Sequence, residues 1–343
     1  MSAYIPASQV LQRHESLFTD KSILVSGDIH DDYALQINSR HTNIHCTLYH
    51  VYLKLSARNR DCQIEFSIFP SDACYEDVDT LIYYWPKNKT EAQFQLSFLL
   101  NHLPKNADIF IVGENRSGVK SVETLLSDFG SIQKIDSARR CGLYHYQAEN
   151  RLAFDFSEWW YQYHLQLDNI DLTINSLPGV FSQKTLDIGS ELLINALAEH
   201  FDIVKGRVLD VGCGCGVLST FAYKLNSHIQ LVCSDVNAMA LSATKQTLSA
   251  NQINADVVAS DVFSNLEGRF DLIISNPPFH DGKETDYNAV DALIHQSKQY
   301  LSQNGKLCLV ANSFLPYHRL LVENFKQVSV IAQTSRFKVY LVE

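Results

Sequence analysis

Short, nearly unbroken apolar runs that each stop at a glycine, an acid or a proline recur along this chain. Val208-Leu209-Asp210-Val211 stops at Gly212, Ile229-Gln230-Leu231-Val232-Cys233-Ser234 at Asp235, Asp256-Val257-Val258-Ala259-Ser260 at Asp261, and Phe270-Asp271-Leu272-Ile273-Ile274-Ser275 at Asn276-Pro277-Pro278-Phe279. Runs of this kind without alternation are expected of strands buried on both faces, so they predict a parallel, doubly wound α/β sheet whose strand ends carry the chemistry. Tyr161 to Ile174 alternates instead and predicts a hairpin laid on that sheet, while Ser329 to Gln333 and Arg336 to Val342 predict a closing antiparallel pair. Leu177 to Ser182 and Asp187-Ile188-Gly189-Ser190 lead into a helix predicted over Glu191 to Ala198, which is expected to cover the pocket.

The pattern occurs twice. Asp79 to Pro86 lies against Asp271 to Pro278 at an offset of 192, Lys134 to Tyr144 against Val330 to Tyr340 at 196, and Ile23 to Asp28 against Val208 to Cys213 at 185. Asp108 to Val112 resembles Lys306 to Val310 at a similar offset. Four matches in one order with slowly drifting offsets predict a duplicated domain. The first copy keeps one loop glycine, Gly27, and has Tyr84-Trp85-Pro86-Lys87 where the second has Asn276-Pro277-Pro278-Phe279, so it is expected to be catalytically dead. The expected division is residues 1–155 and 156–343. Between the copies, Phe154 to Tyr161 is aromatic rather than Gly/Ser-rich, which predicts docked domains with Trp159 and Trp160 as interface core.

Composition narrows the class. A length of 343 residues with 46% hydrophobic content can furnish two cores. There is no secretory pattern at the start and no apolar run of about eighteen residues, so a cytoplasmic protein without a membrane span is expected. The eight cysteines include no Cys-x-x-Cys pair; they are expected to be reduced, with no metal site. A net charge of −10 excludes holding nucleic acid by general electrostatics but allows local contacts. Lys87 and Lys89, Arg139 and Arg140, and Arg336 with Lys338 are the clusters available for phosphate, each otherwise a solvated face. Tyr83, Tyr84 and Trp85 are either buried or, with Lys87 and Lys89, a docking surface.

The strand ends suggest methyl transfer. Asn276 offers a side-chain oxygen to a planar amino group, a carbonyl beside the prolines can accept the second N–H, and Phe279 can stack on the ring bearing it. Gly212, Gly214 and Gly216 let a ligand approach the backbone, and Asp235 stands where a doubly wound fold holds ribose hydroxyls. Asp261 can accept from an adenine amino group. A nicotinamide dinucleotide and S-adenosylmethionine both fit a glycine loop with a ribose carboxylate. Val217, where the dinucleotide fingerprint has glycine or alanine, favours the latter.

These stretches resemble the bacterial ribosomal RNA small subunit methyltransferase C family, over nearly the whole chain. The resemblance is carried by Asp79 to Leu96, Val112 to Val119, Asp136 to Tyr144, Leu177 to Ser182, Val208 to Leu218 and Ile273 to Gly282. It implies two tandem Rossmann-like (class I) methyltransferase domains, the first degenerate, and transfer of a methyl group from S-adenosylmethionine to a guanine N2 in 16S ribosomal RNA. It implies Asp210, Gly212, Gly214, Gly216, Asp235 and Asp261 as cofactor-binding residues, and Asn276, Pro277 and Phe279 as the target-base clamp. The partner is then 16S ribosomal RNA, expected within the small ribosomal subunit, and the enzyme is expected to be a monomer. Cys215 stands where the loop more usually has alanine. Methylation of a glutamine amide in a protein factor uses the same Asn-Pro-Pro turn and is one alternative, with Phe279 and the duplication against it. A non-catalytic ribosome-binding module is the other, with the intact loop against it.

Overall fold

The computed structural model describes residues 4–59, 61–127, 130–147, 149, 153–167, 169–277 and 284–343, with backbone alone at 284–288. The chain divides into two compact units, Met1–Trp159 and Trp160–Glu343.

In the first unit, strands β1 (Ser22–Gly27), β2 (His41–Cys46), β3 (Gln63–Phe66), β4 (Thr80–Tyr84), β5 (Asp108–Glu114), β6 (Ile132–Ala138) and β7 (Cys141–Gln147) form one sheet in the order β3-β2-β1-β4-β5-β7-β6. The first five run parallel, and β7 is antiparallel to both β5 and β6. Helices α1 (Pro6–Gln12), α2 (Tyr49–Ser56), α3 (Lys89–His102) and the short α4 (Val122–Leu125) accompany it. Side chains alternate between two cores, as a two-residue period requires: Ile23, Val25, Ile82 and Tyr84 point to one, and Leu24, Leu81, Tyr83 and Trp85 to the other.

That alternation settles the aromatic stretch after β4. Tyr83, Tyr84 and Trp85 are 0%, 2% and 4% exposed, so they are core and not a docking surface. Each polar tip is satisfied inside the unit: the Tyr83 hydroxyl donates to Gln95 Oε1, the Tyr84 hydroxyl meets Ser8 Oγ, and Trp85 Nε1 donates to the Ser117 carbonyl. Trp159 also packs within this unit, on Phe94 and Phe154, in a cluster that includes Phe69, Phe98 and Phe156.

The second unit opens with a hairpin, β8 (Tyr161–Leu167) and β9 (Ile170–Ser176). Its sheet then uses β10 (Arg207–Val211), β11 (Gln230–Asp235), β12 (Asp256–Ala259), β13 (Phe270–Ser275), β14 (Leu301–Asn312), β15 (Val328–Gln333) and β16 (Phe337–Val342), in the order β12-β11-β10-β13-β14-β16-β15. Its helices are α5 (Ile188–Glu199), α6 (Val217–Leu225), α7 (Ala238–Ala250), α8 (Glu284–Tyr300) and α9 (Tyr317–Asn324). The hairpin is pinned to α7 by paired contacts: Thr173 N–H and C=O bond the Asn251 side chain, and Asn175 N–H and C=O bond the Thr247 hydroxyl.

The two sheets share one strand order and one defect. Between β6 and β7 the register jumps from Lys134↔Tyr144 to Asp136↔Leu143, leaving Ile135 extra. Between β15 and β16 it jumps from Val330↔Tyr340 to Ala332↔Val339, leaving Ile331 extra. All four positions in one sheet lie 196 residues from their counterparts, so the bulges are equivalent. Two α/β sheets with one topology and one shared bulge are the duplicated domain that the repeat predicts.

Candidate active site

The site lies at the carboxyl ends of β10, β11, β12 and β13, around a cavity of about 470 Å³. Beyond β10 the chain turns sharply because the amides of Gly212 and Cys213 both donate to the Ser234 carbonyl at the end of β11. Gly212, Gly214 and Gly216 have φ of +75°, +56° and +80°, which side chains rarely adopt. Their surroundings differ. A Cβ on Gly212 would meet nothing within 4 Å, and one on Gly214 would reach only the Phe181 carbonyl at 4.0 Å, so these two leave a cradle facing the cavity. A Cβ on Gly216 would press on Thr244 at 3.2 Å. The third glycine therefore serves the packing of α6 on α7 more than ligand approach.

Asp235 ends β11 at the cavity wall. Its Oδ2 accepts from Gly214 N–H at 2.9 Å and its Oδ1 from Asn237 N–H at 2.9 Å, which fixes the carboxylate between the glycine loop and the next helix. Burial pushes its pKa above the usual value, opposed by those amides. Asp261 lies at the exposed rim of the same cavity. Asp210, within β10, is fully buried; its Oδ2 accepts from Ser219 Oγ while its Oδ1 has no partner among the described residues. Burial raises its pKa to about 7, helped by Asp235 and opposed by Ser219. The open cradle and the fixed carboxylate suit a ligand with hydroxyls, as S-adenosylmethionine has, and the buried Asp210 carboxyl places a further acid beneath the loop.

Asn276 and Pro277, immediately after β13, line the other side of the cavity. The Asn276 Nδ2 donates to Asp187 Oδ1 at 3.2 Å and to Ser190 Oγ at 2.8 Å. Its Oδ1 is buried and, among the described residues, has no hydrogen-bond partner. An amide whose hydrogens are both used and whose oxygen is idle is an acceptor held for a substrate donor. Pro278 and Phe279, and with them the stacking half of the expected clamp, lie outside the described residues.

The structure thus brings Gly212, Gly214, Asp235, Asp261, Asn276 and Pro277 together around one cavity, while Asp210 is buried within β10 and does not line it. It does not bring the helix over the pocket. Gly179, Val180 and Phe181 line the cavity, while α5 packs on β14 and β16 and meets the site only through its cap, Asp187, and first turn. Asp187 and Ser190, which hold the Asn276 amide, read in the sequence only as the lead-in to a helix. In the first unit, Lys87, Lys89, Arg139 and Arg140 are exposed beyond β4 and in the β6–β7 turn, at the sheet edge where β1, β4 and β5 end. Arg139 and Arg140 hold φ of 54° and 62° there. Among the described residues no group of three or more His, Cys, Asp or Glu is placed to hold a metal, all eight cysteines are free, and no helix is long and apolar enough to cross a membrane.

Comparison with known proteins adds the family. The methyltransferase small domain matches residues 171–341, and the methyltransferase small domain N-terminal matches residues 8–163. The ribosomal RNA small subunit methyltransferase C of Erwinia tasmaniensis is 48% identical over 340 residues, covering 99% of this chain and 97% of that protein. The Salmonella typhimurium protein of the same name is 48% identical over 341 residues, with coverage of 99% and 97%. Among solved structures, a T. thermophilus 16S rRNA N2 methyltransferase in complex with AdoMet and guanosine superposes with a TM-score of 0.84 at 21% identity, covering 98% of this chain and 91% of that one. The likeness in structure extends through both sheets.

Proposed function

This chain belongs to the ribosomal RNA small subunit methyltransferase C family, and we propose that it transfers the methyl group of S-adenosylmethionine to the exocyclic N2 of a guanine in 16S ribosomal RNA. One observation carries the substrate half of this reading. Asn276, whose buried Oδ1 has no hydrogen-bond partner among the described residues, lines the same cavity as the glycine cradle and Asp235. A planar NH2 offers the donor it lacks, and accepting that hydrogen turns the nitrogen lone pair out of conjugation and toward the cradle.

S-adenosylmethionine, when bound, supplies a methyl group on a positively charged sulfur. The residues that would hold it are Gly212 and Gly214 by leaving room, Asp235 through the ribose hydroxyls, Asp261 at the adenine end and Asp210 near the cationic group. The protein's part is chiefly alignment, which can supply roughly 7–11 kcal/mol of barrier reduction. No side chain is assigned as a base; the departing amino proton goes to solvent. A paired guanine hides this edge, so the base has to be unpaired or flipped out, at a few kcal/mol.

We place Lys87, Lys89, Arg139 and Arg140 of the first unit in contact with the RNA backbone. Their exposure along one sheet edge supports this, since the overall charge of −10 leaves binding to local clusters. The substrate is read as the small ribosomal subunit and the enzyme as a monomer.

The test uses methyl-labelled S-adenosylmethionine with small subunits and with free 16S RNA from a strain lacking this gene. Digestion to nucleosides is expected to give labelled N2-methylguanosine at one site. Label in another nucleoside, or in a protein glutamine, overturns the reading.

A further inference from the structure

We propose that Asp187 and Ser190 are positioning residues for the transfer: together they lock the Asn276 amide with its oxygen toward the substrate, and the Asp187 carboxylate makes that oxygen a stronger acceptor. The inference rests on the assignment of Asn276 as the acceptor and deepens it.

An asparagine side chain has two ends of nearly the same shape and opposite hydrogen-bonding sense. Turned over, Asn276 would present its own NH2 to the substrate's NH2, donor against donor. Something must forbid the flip, and the two partners of Nδ2 do so. One Nδ2 hydrogen goes to Asp187 Oδ1 and the other to Ser190 Oγ, at 3.2 and 2.8 Å. A carboxylate only accepts, so after a flip two oxygens would face each other with no proton between them. Asp187 is itself immobilised. Its Oδ1 also accepts from Ser190 N–H at 2.9 Å, as the cap of α5, and its Oδ2 accepts from Ser182 Oγ at 2.8 Å. The orientation of the amide is thereby referred to the start of a twelve-residue helix instead of to a loop.

The charge matters as well as the geometry. A negative group on the N–H side of an amide draws electron density onto its oxygen. As the substrate nitrogen shares its lone pair in the transition state, its N–H hydrogens become more positive, and a more negative acceptor gains most at that point. An interaction that strengthens toward the transition state is read in kcat more than in KM.

The first unit separates scaffold from function. There α1 begins with cap Ile5 and carries Ser8 three positions on, as α5 begins with cap Asp187 and carries Ser190. Ser8 Oγ meets the Tyr84 hydroxyl just as Ser190 meets Asn276, and Tyr84 and Asn276 lie 192 residues apart at the same strand end. The serine contact therefore belongs to both copies. A carboxylate stands at the helix start in both copies, but in the first it is Asp31, which accepts from Ile5 N–H and Ser8 Oγ; only in the second does it come from the cap residue and accept from the strand-end side chain.

The experiment compares Asp187→Asn, the double variant D187A/S190A and Asn276→Ala. Asparagine caps helices about as well as aspartate, so D187N is expected to melt within a few degrees of wild type and to bind S-adenosylmethionine normally. Its kcat on small subunits is expected to fall about tenfold, with KM for the subunit changed by less than about threefold, because a charge-assisted bond has become a neutral one. The double variant, free to flip, is expected to approach the loss seen in N276A. A second readout needs no turnover. In protein labelled with 15N at asparagine, the Nδ2 signals of Asn276, identified by their absence in N276A, are expected to show slow exchange that the double variant abolishes. Wild-type kcat in D187N and D187A/S190A, or loss that tracks melting temperature or cofactor affinity, overturns the proposal; if N276A is inactive in that case, the acceptor reading still stands. Wild-type turnover in N276A overturns both. Fast-exchanging Nδ2 signals in the wild type overturn the lock alone.

Discussion

The two units place opposite things at the same strand ends. Gly27 and Gly212 both follow the first strand of their sheet with positive φ, +95° and +75°. A Cβ on Gly27 would lie 2.1 Å from the Tyr84 carbonyl and 3.0 Å from the Tyr83 ring, while one on Gly212 would meet nothing within 4 Å. By register, β2 ends in Cys46, buried with its thiol pushed up to about 12, where β11 ends in Asp235. Val25 fills the place of Asp210, and Tyr84 that of Asn276. The first unit has lost its ligand site by packing it with protein, and its sheet persists without it. The second keeps a void at the loop and, in Asp210 and Asn276, buried polar atoms with no partner among the described residues, each of which costs about 1–3 kcal/mol. Folding and binding thus make separable demands on one topology.

Exchanging the consequences of a substitution between units is the sharpest way to break this contrast. Asn276→Ala is expected to lower turnover by about a hundredfold or more, with the cofactor dissociation constant and melting temperature nearly unchanged. Tyr84→Ala, at the equivalent place, is expected to destabilise the first unit by about 3–5 kcal/mol, read by denaturant unfolding, and to leave cofactor affinity alone. If N276A unfolds the protein or Y84A abolishes cofactor binding, the two sites are not the opposites described.

Asp235→Ala should come next in size. On the proposed ribose role of this carboxylate, its loss is expected to weaken S-adenosylmethionine binding about tenfold or more, measured by calorimetry. Cys46→Ala is expected to leave that affinity as it was.

A smaller effect concerns pH. Asp210 in the ligand-free fold titrates at about 7 against an ordinary value of 3.8, so the folded form keeps a proton that the unfolded chain releases. Its contribution is therefore fully present below the ordinary value and is lost as pH rises through about 7. Thermal melts of the ligand-free protein are expected to fall between pH 5 and 8, and Asp210→Asn to flatten that fall, at roughly 2–4 °C per kcal/mol. A wild-type slope in the variant would show that burial of this carboxyl is not what the pH moves.

Smallest of all, neutralising Lys87 and Lys89 together is expected to reduce the salt dependence of subunit binding by up to about two phosphate contacts, without touching cofactor affinity. A wild-type salt slope and activity in the folded double variant would leave the first unit with no part in binding through these residues.

What could be read in advance follows from the range of the forces involved. Strands buried on both faces declare themselves as apolar runs, and the residues that end them, Gly212, Asp235 and Asn276, are fixed by topology alone. The hairpin over 161–176 was legible from its alternation. Tyr83, Tyr84 and Trp85 were not, because an aromatic run beyond a strand reads alike whether it faces solvent or core; only the alternation of cores decides. Asp187 was missed because its local signal is that of a helix cap, while the contact that gives it a role spans 89 residues. Gly216 was read with its neighbours because spacing cannot distinguish a glycine that admits a ligand from one that admits a helix.

The bulge shared by the two sheets bears on descent. Ile135 and Ile331 are single inserted residues in strands of otherwise regular pairing. Deleting either would slide the remainder of its strand by one position and turn its inward side chains outward, so no single step back is open to selection. An insertion this hard to lose, found at matching places in both halves, is what the copying of one domain that already carried it would leave. Single-copy relatives of that domain are then expected to carry it in their last hairpin even where every loop glycine has diverged.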